Sequence, residues 1–443
     1  MRRSLIVLLL AVVVLPCACT SSYYDRIDPW TPTYRPYGER PLRQPRVLTE
    51  VELAAMRAKY VDILEQTLPM KDVAWQLAIP GAYITRVSLQ GDAVYVETDS
   101  AATYAVDFNT GYCRWRFDFD RRLDFVPGYM TDTTSELTKQ TAAVKEAEDQ
   151  FANEKGKKEK DKSKLTAFSR KVEEARAALV SANDKDVVYV LAGNRLHCFD
   201  RVGGAHRWNK QLQYMPSSSV TGAAGYFFVT SVTGDRIHSY VVDSLEEFAT
   251  YKCMGDICAP PVLEIPSVYF GSTDGLVYSY DVNGRLNWTY TTDGPIRAGL
   301  VCAANLVYAC GTDYAVYAID RVTGGIRWKF ETGGPITEKP ELCGGVLYVK
   351  SDDNALFALD AATGQMRWKV ARAEKFACAT KRRVYLLGSS GELLGVDPKT
   401  GDVKSRHPIG PFVHVVSNTQ SPILLIATED GFVFALAESD TKF

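Results

Sequence analysis

The 443-residue sequence lacks several features that would assign it to a familiar functional class. Its formal net charge is −2, so it has none of the basic excess that nucleic-acid binding normally requires. Beyond its first residues it has no apolar run long enough for a transmembrane helix. It has no Cys-x-x-Cys pair for zinc and no Cys-x-x-Cys-His site for haem. These absences exclude nucleic-acid binding and leave no recognisable metal site.

Catalytic patterns are also scarce. No two cysteines are adjacent, and the Gly333-Gly334 pair lacks the strand-to-helix setting that a phosphate-binding loop needs. The sequence therefore predicts no catalytic residues, no metal site and no cofactor. Its five histidines form no motif, and they are His197, His206, His238, His407 and His414.

The sequence contains ten cysteines, which suits an oxidising compartment, but their spacing is not that of a disulfide scaffold. Cys253 and Cys258 are separated by a short loop that could close as a disulfide or remain reduced. Cys302, Cys343 and Cys378 occupy similar positions in successive repeats, which point apart in space. We interpret these three as small buried hydrophobic residues rather than metal ligands.

The N-terminus has the pattern of an export signal. Arg2 and Arg3 precede an apolar run from Leu5 to Leu15, which at ~1.5 Å per residue is too short to span a ~30 Å hydrocarbon core. The stretch ending in Cys19 resembles a bacterial lipoprotein cleavage box, with Ala18 before the cut. We expect residues 1–19 to be a signal peptide and Cys19 to be lipidated, with an ordinary cleaved signal as the alternative.

Two further segments precede the repeats. Residues 20–48 are rich in proline and tyrosine, which predicts an extended, semi-rigid tether between membrane and body. Residues 49–68 have the pattern of an amphipathic helix, in which Thr49 and Glu52 have capping-box spacing. We expect this helix to pack on the body of the protein rather than bind a partner.

From residue 73 to residue 437 one pattern recurs. Its clearest copy contains Tyr317-Ala318-Ile319-Asp320, then Thr323-Gly324, then Trp328. The corresponding aspartates at 281, 320, 360 and 397 are 39, 40 and 37 residues apart. A period near 40 with about four short strands is typical of β-propeller blades. The sequence therefore predicts an all-β propeller of four-stranded blades.

Each repeated residue has an expected structural role. The aspartate accepts hydrogen bonds from the backbone of a turn, the glycine adopts a left-handed conformation, and the tryptophan docks one blade on the next. The predicted turn residues are Asp107, Asp200, Asp281, Asp320, Asp360, Asp397, Gly111, Gly324, Gly364 and Gly401. The predicted docking residues are Trp75, Trp115, Trp208, Trp288, Trp328 and Trp368.

Two of the eight repeats are incomplete. The third is a degraded copy that holds Phe227-Phe228-Val229, Asp243 and Tyr251, and the eighth ends before any tryptophan strand. The segment around Trp75 could supply that missing strand, which would close a ring of eight blades without a free edge. A ring of seven blades is the alternative.

One interval departs from the period. Asp107 and Asp200 are 93 residues apart, and the excess lies in residues 131–186, which are rich in alanine, glutamate and lysine. We expect a hairpin of two antiparallel helices, inserted between the first and second strands of a blade. It should project from the face that carries the Thr-Gly turns. Its lysine-rich tip is expected to be solvated, with contact to an anionic surface as the alternative.

The Tyr-Ala-x-Asp-x-x-Thr-Gly pattern followed by tryptophan resembles the quinoprotein-type, or PQQ-like, β-propeller repeat. Within that family the chain is similar to the BamB-type lipoproteins of outer-membrane assembly. The resemblance implies a non-enzymatic scaffold, exported and lipid-anchored at the bacterial cell envelope and facing the periplasm. It would bind envelope proteins through the propeller faces, and the helical hairpin could contribute.

Two other functions remain open from the sequence. A PQQ-dependent dehydrogenase would share the repeat, but such enzymes use a vicinal disulfide, a calcium site and a catalytic aspartate, and this chain has no adjacent cysteines. A propeller that binds glycans or cell wall through aromatic residues on one face is the weaker alternative.

Overall fold

The computed structural model describes most of the predicted repeat region and short parts of the rest. The described residues are 49, 51, 54–55, 58–60, 72–79, 81–131, 143, 145–150, 152, 167, 169–172, 174–175, 186–233 and 235–438. The expected signal peptide, the lipidation site Cys19 and the tether at 20–48 lie outside them.

The described residues form 32 β-strands. They fall into eight consecutive sets of four, which we call units 1 to 8. Unit 1 consists of β2 (Ile84–Gln90), β3 (Ala93–Thr98), β4 (Ala102–Asp107) and β5 (Cys113–Asp118), and unit 2 of β6 (Gly128–Thr131), β7 (Val187–Ala192), β8 (Arg195–Asp200) and β9 (His206–Gln211). Unit 3 consists of β10 (Thr221–Ala223), β11 (Tyr226–Thr230), β12 (Arg236–Val241) and β13 (Glu247–Lys252), and unit 4 of β14 (Val262–Glu264), β15 (Ser267–Gly271), β16 (Leu276–Asp281) and β17 (Leu286–Thr291).

The remaining units follow the same order, except that the N-terminal strand belongs to the last one. Unit 5 consists of β18 (Val301–Ala303), β19 (Leu306–Cys310), β20 (Ala315–Asp320) and β21 (Ile326–Glu331), and unit 6 of β22 (Glu341–Cys343), β23 (Val346–Ser351), β24 (Ala355–Asp360) and β25 (Met366–Ala371). Unit 7 consists of β26 (Ala373–Ala379), β27 (Val384–Gly388), β28 (Glu392–Val396) and β29 (Val403–Pro408), and unit 8 of β30 (Phe412–Val416), β31 (Leu424–Thr428), β32 (Phe432–Ala437) and β1 (Asp72–Ala78).

Within every unit the neighbouring strands are antiparallel and hydrogen-bonded in sequence order. Unit 8 is completed by β1, which pairs with β32 in the register Leu77↔Val433. The N-terminal strand thus supplies the edge that the C-terminal repeat lacks. Antiparallel neighbours joined by short turns account for the alternation of apolar runs with Gly, Asp and Thr in the sequence.

Units 2 and 3 are joined into one eight-stranded sheet, because their first strands, β6 and β10, pair in parallel. The two backbones approach closely at Gly128. A Cβ atom at this position would lie 1.8 Å from the carbonyl oxygen of Val220, so only glycine can be accommodated there.

The core lies between consecutive units. Second and third strands are buried almost throughout, whereas outer strands such as β17 and β21 alternate between exposed and half-buried residues. Eight clusters of buried apolar side chains each combine residues of two consecutive units. One of them unites Trp75 of unit 8 with Val106 of unit 1. This all-β arrangement of four-stranded antiparallel sheets is consistent with a β-propeller.

The predicted N-terminal helix is helical at residues 51, 54–55 and 58–60. Tyr60 is 3% exposed, and its ring lies 5.2 Å from that of Phe432 and 6.0 Å from that of Phe412. Its hydroxyl donates a hydrogen bond to Asp430. This part of the helix therefore packs on unit 8.

The insertion leaves unit 2 at the end of β6 and returns at the start of β7. Its described residues are helical at 143, 145–150 and 152, and again at 167, 169–172 and 174–175. At its C-terminal root, Asp186 accepts a 2.5 Å hydrogen bond from Arg201 in the turn between β8 and β9. The root therefore lies at the end of unit 2 that carries this turn. None of the described helical segments is long and apolar enough to cross a membrane.

Candidate functional site

In six of the eight units an aspartate at or directly after the end of the third strand organises the turn that follows. In unit 5, Oδ1 of Asp320 accepts hydrogen bonds from the backbone N–H groups of Val322 and Thr323, at 3.0 and 2.9 Å. Its Oδ2 accepts one from Arg327 at 2.6 Å. The Thr323 backbone and Arg327 together hold the pKa of Asp320 well below its usual value.

The same turn recurs in other units. Asp107 and Asp360 each accept hydrogen bonds from the second and third residues after them, and each is paired with an arginine of the next strand. Asp200 also pairs with such an arginine, and Asp397 accepts two backbone hydrogen bonds. Asp281 differs, because Asn287 occupies the position of that arginine.

The tryptophan of one unit contacts the turn of the next. Nε1 of Trp328 donates to the carbonyl oxygen of Ala361 at 3.1 Å, directly after Asp360. Gly364 in the same turn has a φ of 73°, and a Cβ there would lie 2.5 Å from the Trp328 ring. The glycine is therefore required both by its backbone conformation and by the indole that packs against it.

Four other tryptophans make the same hydrogen bond to the residue after the aspartate of the next unit. They are Trp75 to Phe108 at 2.7 Å, Trp115 to Arg201 at 3.0 Å, Trp288 to Arg321 at 3.0 Å and Trp368 to Pro398 at 2.9 Å. Gly111, Gly204, Gly324 and Gly401 receive these rings in the way Gly364 receives Trp328.

Unit 3 departs from the pattern on both of its sides. Trp208 of unit 2 packs on Phe227, at 5.6 Å between ring centroids, and the glycine position of the unit 3 turn holds Leu245 with a φ of 58°. The turn is built on Val241, whose carbonyl oxygen accepts from Leu245 N–H as that of Asp320 accepts from Gly324.

Tyr251 takes the role of tryptophan in unit 3. It is fully buried, and its hydroxyl donates to the carbonyl oxygen of Val282 at 2.7 Å. Val282 directly follows Asp281, so the acceptor is the one that an indole uses in the other units. Sequence reasoning identified Tyr251 only as part of a degraded copy. Its alignment with the tryptophan position was the available signal.

A network of buried ion pairs connects units 1 and 2 next to the insertion. Arg114 bridges Asp92 and Asp107, and Arg201 contacts both Asp92 and Asp186. Arg201 is 3% exposed and Asp186 is 5% exposed. Burial raises the pKa of Asp107, but the hydrogen bond from Arg114 and those of Thr110 outweigh it and hold this pKa below its usual value. Charges this deeply buried are tolerated only when paired.

A cavity of about 790 Å³ lies between the first strands of several units. Its wall includes Arg86, Lys339 and Glu264 together with apolar residues such as Leu300. Mixed polar and apolar walls and this volume are typical of ligand or peptide sites. A neighbouring cavity of about 220 Å³ adjoins Arg86 and Glu97, where burial, opposed by Arg86, raises the pKa of Glu97 to about 7.

Two of the histidines, His197 and His206, lie next to each other in unit 2. Burial, with further contributions from His206 and Arg195, lowers the pKa of His197 to about 3, so its imidazole is neutral near pH 7. Nδ1 of His197 lies 3.3 Å from Nε2 of His206. Within the described ranges no three His, Cys, Asp or Glu side chains are grouped to hold a metal ion.

The cysteine predictions have mixed outcomes. Cys253 and Cys258 are not joined by a disulfide, and Cys253 donates to the carbonyl oxygen of Gly255 at 3.0 Å. The disulfide considered from the sequence is therefore not formed. Cys378 is fully buried, whereas Cys302 and Cys343 are partly exposed.

Comparison with known proteins supports this architecture. Residues 273–441 match a family described as outer membrane protein assembly factor BamB. The crystal structure of BamB from Moraxella catarrhalis is similar, with a TM-score of 0.58 and 13% identity over 83% of this chain and 99% of that one. The crystal structure of the computationally designed Ika8 protein is also similar, with a TM-score of 0.55 and 14% sequence identity. The match covers 80% of this chain and 96% of that one. No curated protein matches the sequence.

Proposed function

Because the chain is a PQQ-like repeat protein similar to BamB, we propose that it is a non-enzymatic β-propeller scaffold that holds other proteins at the bacterial cell envelope. The observation that carries the proposal is the use of the repeated residues. Asp320 and its counterparts stabilise turns, and Trp328 and its counterparts stabilise the contacts between units. The residues that recur most regularly therefore have structural roles. We therefore place the binding function on the exposed surfaces, in the cavity and in the insertion. Fold alone would not decide it.

The scaffold that we propose is a ring of eight blades closed by the N-terminal strand. Two observations support closure: β1 pairs with β32, and Trp75 of unit 8 donates to Phe108 of unit 1. A closed ring leaves no strand edge at the junction of the two chain ends, and such an edge would invite aggregation. The cavity of about 790 Å³ then lies in the central channel of the ring.

We further propose that the protein is exported and anchored through lipidated Cys19, facing the periplasm. The support is the apolar N-terminal run and the match to an outer membrane protein assembly factor. Mass spectrometry of the mature N-terminus tests the anchor. A start at Cys19 carrying lipid is the expected result, and an unmodified N-terminus would contradict it.

Outer-membrane protein assembly is the process in which we place the scaffold, with envelope proteins bound at its faces. We propose that the insertion at 131–186 contributes to that binding. Its root, where Asp186 pairs with Arg201, lies on the turn-bearing end of unit 2. Affinity purification from solubilised membranes tests this. Envelope proteins should co-purify with the complete chain, and fewer of them when residues 132–185 are replaced by a short Gly-Ser linker. Unchanged recovery of envelope proteins would show that the insertion does not contribute to their binding.

A quinoprotein dehydrogenase is the alternative that most needs exclusion, because it shares the repeat. The purified protein is incubated with PQQ and calcium, separated from free PQQ and assayed with an artificial electron acceptor. The scaffold proposal predicts no retained quinone absorbance and no dye reduction. Stoichiometric retention of PQQ together with alcohol-dependent reduction of the dye would show that the protein is an enzyme and contradict the scaffold proposal.

A further inference from the structure

The outer strand of unit 4 differs from the outer strands of the other units. β17, Leu286–Thr291, has the sequence Leu-Asn-Trp-Thr-Tyr-Thr and contains no charged residue. Its outer edge has no partner strand among the described residues. Each of the seven other outer strands carries at least one charge, for example Asp72 in β1, Arg114 in β5, Lys210 in β9, Lys252 in β13, Lys329 in β21, Lys369 in β25 and Lys404 in β29.

The difference lies at the two positions that flank the tryptophan. In unit 5, Arg327 and Lys329 flank Trp328, whereas in unit 4 the corresponding residues are Asn287 and Thr289, both exposed. Charged side chains on an edge strand prevent its unpaired backbone groups from joining another strand. Threonine, tyrosine and tryptophan favour extended structure. The edge of β17 therefore lacks the protection that its neighbours have.

A cavity of about 510 Å³ lies beside this edge. Its apolar lining residues include Leu286 and Trp288 of β17, Tyr269 of β15 and Val322 in the turn of unit 5. Its charged lining residues are Glu264, Asp281, Arg285 and Arg321. Val322 is 81% exposed, Leu286 46%, and nearby Ile265 40%. Exposed apolar side chains grouped around a pocket are typical of an interaction surface. An added strand would bond to the β17 backbone while its side chains enter the pocket.

We propose that β17 is a self-association edge, which pairs antiparallel with β17 of a second copy of this chain about a two-fold axis. A second copy suits it because an uncharged strand can face itself without like-charge repulsion, and cross-strand threonine and aromatic pairs are favourable. Antiparallel pairing about a two-fold axis uses the same strand edge in both copies, as two-fold interfaces require.

The test restores the residues of unit 5 in unit 4. The double variant Asn287→Arg and Thr289→Lys places charges on the edge, and Asp281 offers the new arginine the partner that Asp320 offers Arg327 at 2.6 Å. The matched control is Asn209→Lys, since Asn209 follows Trp208 as Thr289 follows Trp288. All three proteins are purified from cells that express the full chain and examined by sedimentation velocity over a concentration series.

The proposal predicts concentration-dependent dimers of the unmodified protein and of Asn209→Lys, and monomers of the double variant with an unchanged circular dichroism spectrum. Self-association should weaken about tenfold or more, because the paired strands would bring the added positive charges of the two copies close together. A monomeric unmodified protein up to its solubility limit, or a double variant that still dimerises, would overturn the proposal. Either result leaves the scaffold function untouched.

Discussion

At the scale of single residues, the contact between units depends on one donor that reaches one backbone carbonyl. Five tryptophans supply it through an indole N–H, and Tyr251 supplies it through a hydroxyl. The acceptor in each case directly follows the residue that anchors the turn. Because the carbonyl group is buried by the ring that reaches it, loss of the donor leaves it without compensation.

The first prediction concerns Tyr251. Replacement by phenylalanine keeps the buried ring but removes the hydrogen bond to Val282, and should lower the free energy of unfolding by about 1 kcal/mol. Urea unfolding followed by fluorescence measures the change. Tyr112→Phe is the control, because Tyr112 is 62% exposed and should change stability little. Equal stability of the Tyr251 variant and the unmodified protein would show that the hydroxyl is not needed.

The second prediction concerns His197, whose pKa is lowered to about 3. In the unfolded chain its pKa is about 6.5, so the unfolded state binds the proton first as the pH falls. The contribution of the neutral imidazole is therefore complete above pH 6.5 and is lost between pH 6.5 and about 3. Stability should fall by at most about 1.4 kcal/mol per pH unit in this range.

The matched variant for this measurement is His197→Phe, since Phe357 occupies the equivalent strand position in unit 6. Its stability, measured by denaturant unfolding at several pH values, should depend less on pH between 6.5 and 4 than that of the unmodified protein. Identical pH profiles would mean that His197 is not buried in its neutral form.

The sequence predicted the roles of residues that recur in the clear copies of the repeat. It did not predict the roles of residues that stand at the same positions in the degraded copy. Asp320, Gly364 and Trp328 could be assigned roles because identical residues recur at a fixed spacing. Leu245 could not, because a leucine at positive φ is visible only from the geometry of the turn. Tyr251 aligns with the tryptophan position, but the alignment alone does not show that its hydroxyl replaces the indole N–H. The cavity was also beyond reach, since its wall is assembled from first strands far apart in the chain.

At the scale of elements, the turn between the third and fourth strands does two things in units 1, 2, 5, 6 and 7. It reverses the chain, and it presents a surface without a Cβ to the tryptophan of the preceding unit. Gly364 illustrates both, because its φ is 73° and any Cβ atom added to it would lie 2.5 Å from the Trp328 ring. The two requirements can be separated experimentally, because other glycines share only the first.

The third prediction separates them. Gly364→Ala should destabilise the protein by about 2 to 4 kcal/mol, since it combines strain at positive φ with displacement of the indole. Gly391→Ala is the control, because Gly391 has a φ of 71° but nothing within 4 Å of the added methyl group, and it should cost only about 1 kcal/mol. Thermal and urea unfolding of both variants measure the difference. Equal costs would show that the indole does not constrain the turn.

At the scale of the whole molecule, the two ends of the described chain meet in unit 8. β1 brings Trp75, which is 6% exposed, into the cluster shared with unit 1. If the units form a closed ring, a change at this position should loosen both sides of the junction. In an open arrangement the effect would remain within one unit.

The fourth prediction follows from this difference. Trp75→Ala should cost about 3 to 5 kcal/mol, the usual range for a buried tryptophan. Hydrogen exchange measured by mass spectrometry should show faster exchange both in β32 of unit 8 and in β4 and β5 of unit 1. Faster exchange in β32 alone would argue against closure.

The most direct test of the scaffold function is cross-linking mass spectrometry on intact cells that produce the protein at its native level. The account predicts cross-links from lysines of the repeat region, such as Lys339 beside the large cavity, to other envelope proteins. The links should be recovered reproducibly and should disappear when the export signal is removed. Cross-links confined to the chain itself, in cells where the protein is correctly exported, would contradict the scaffold function.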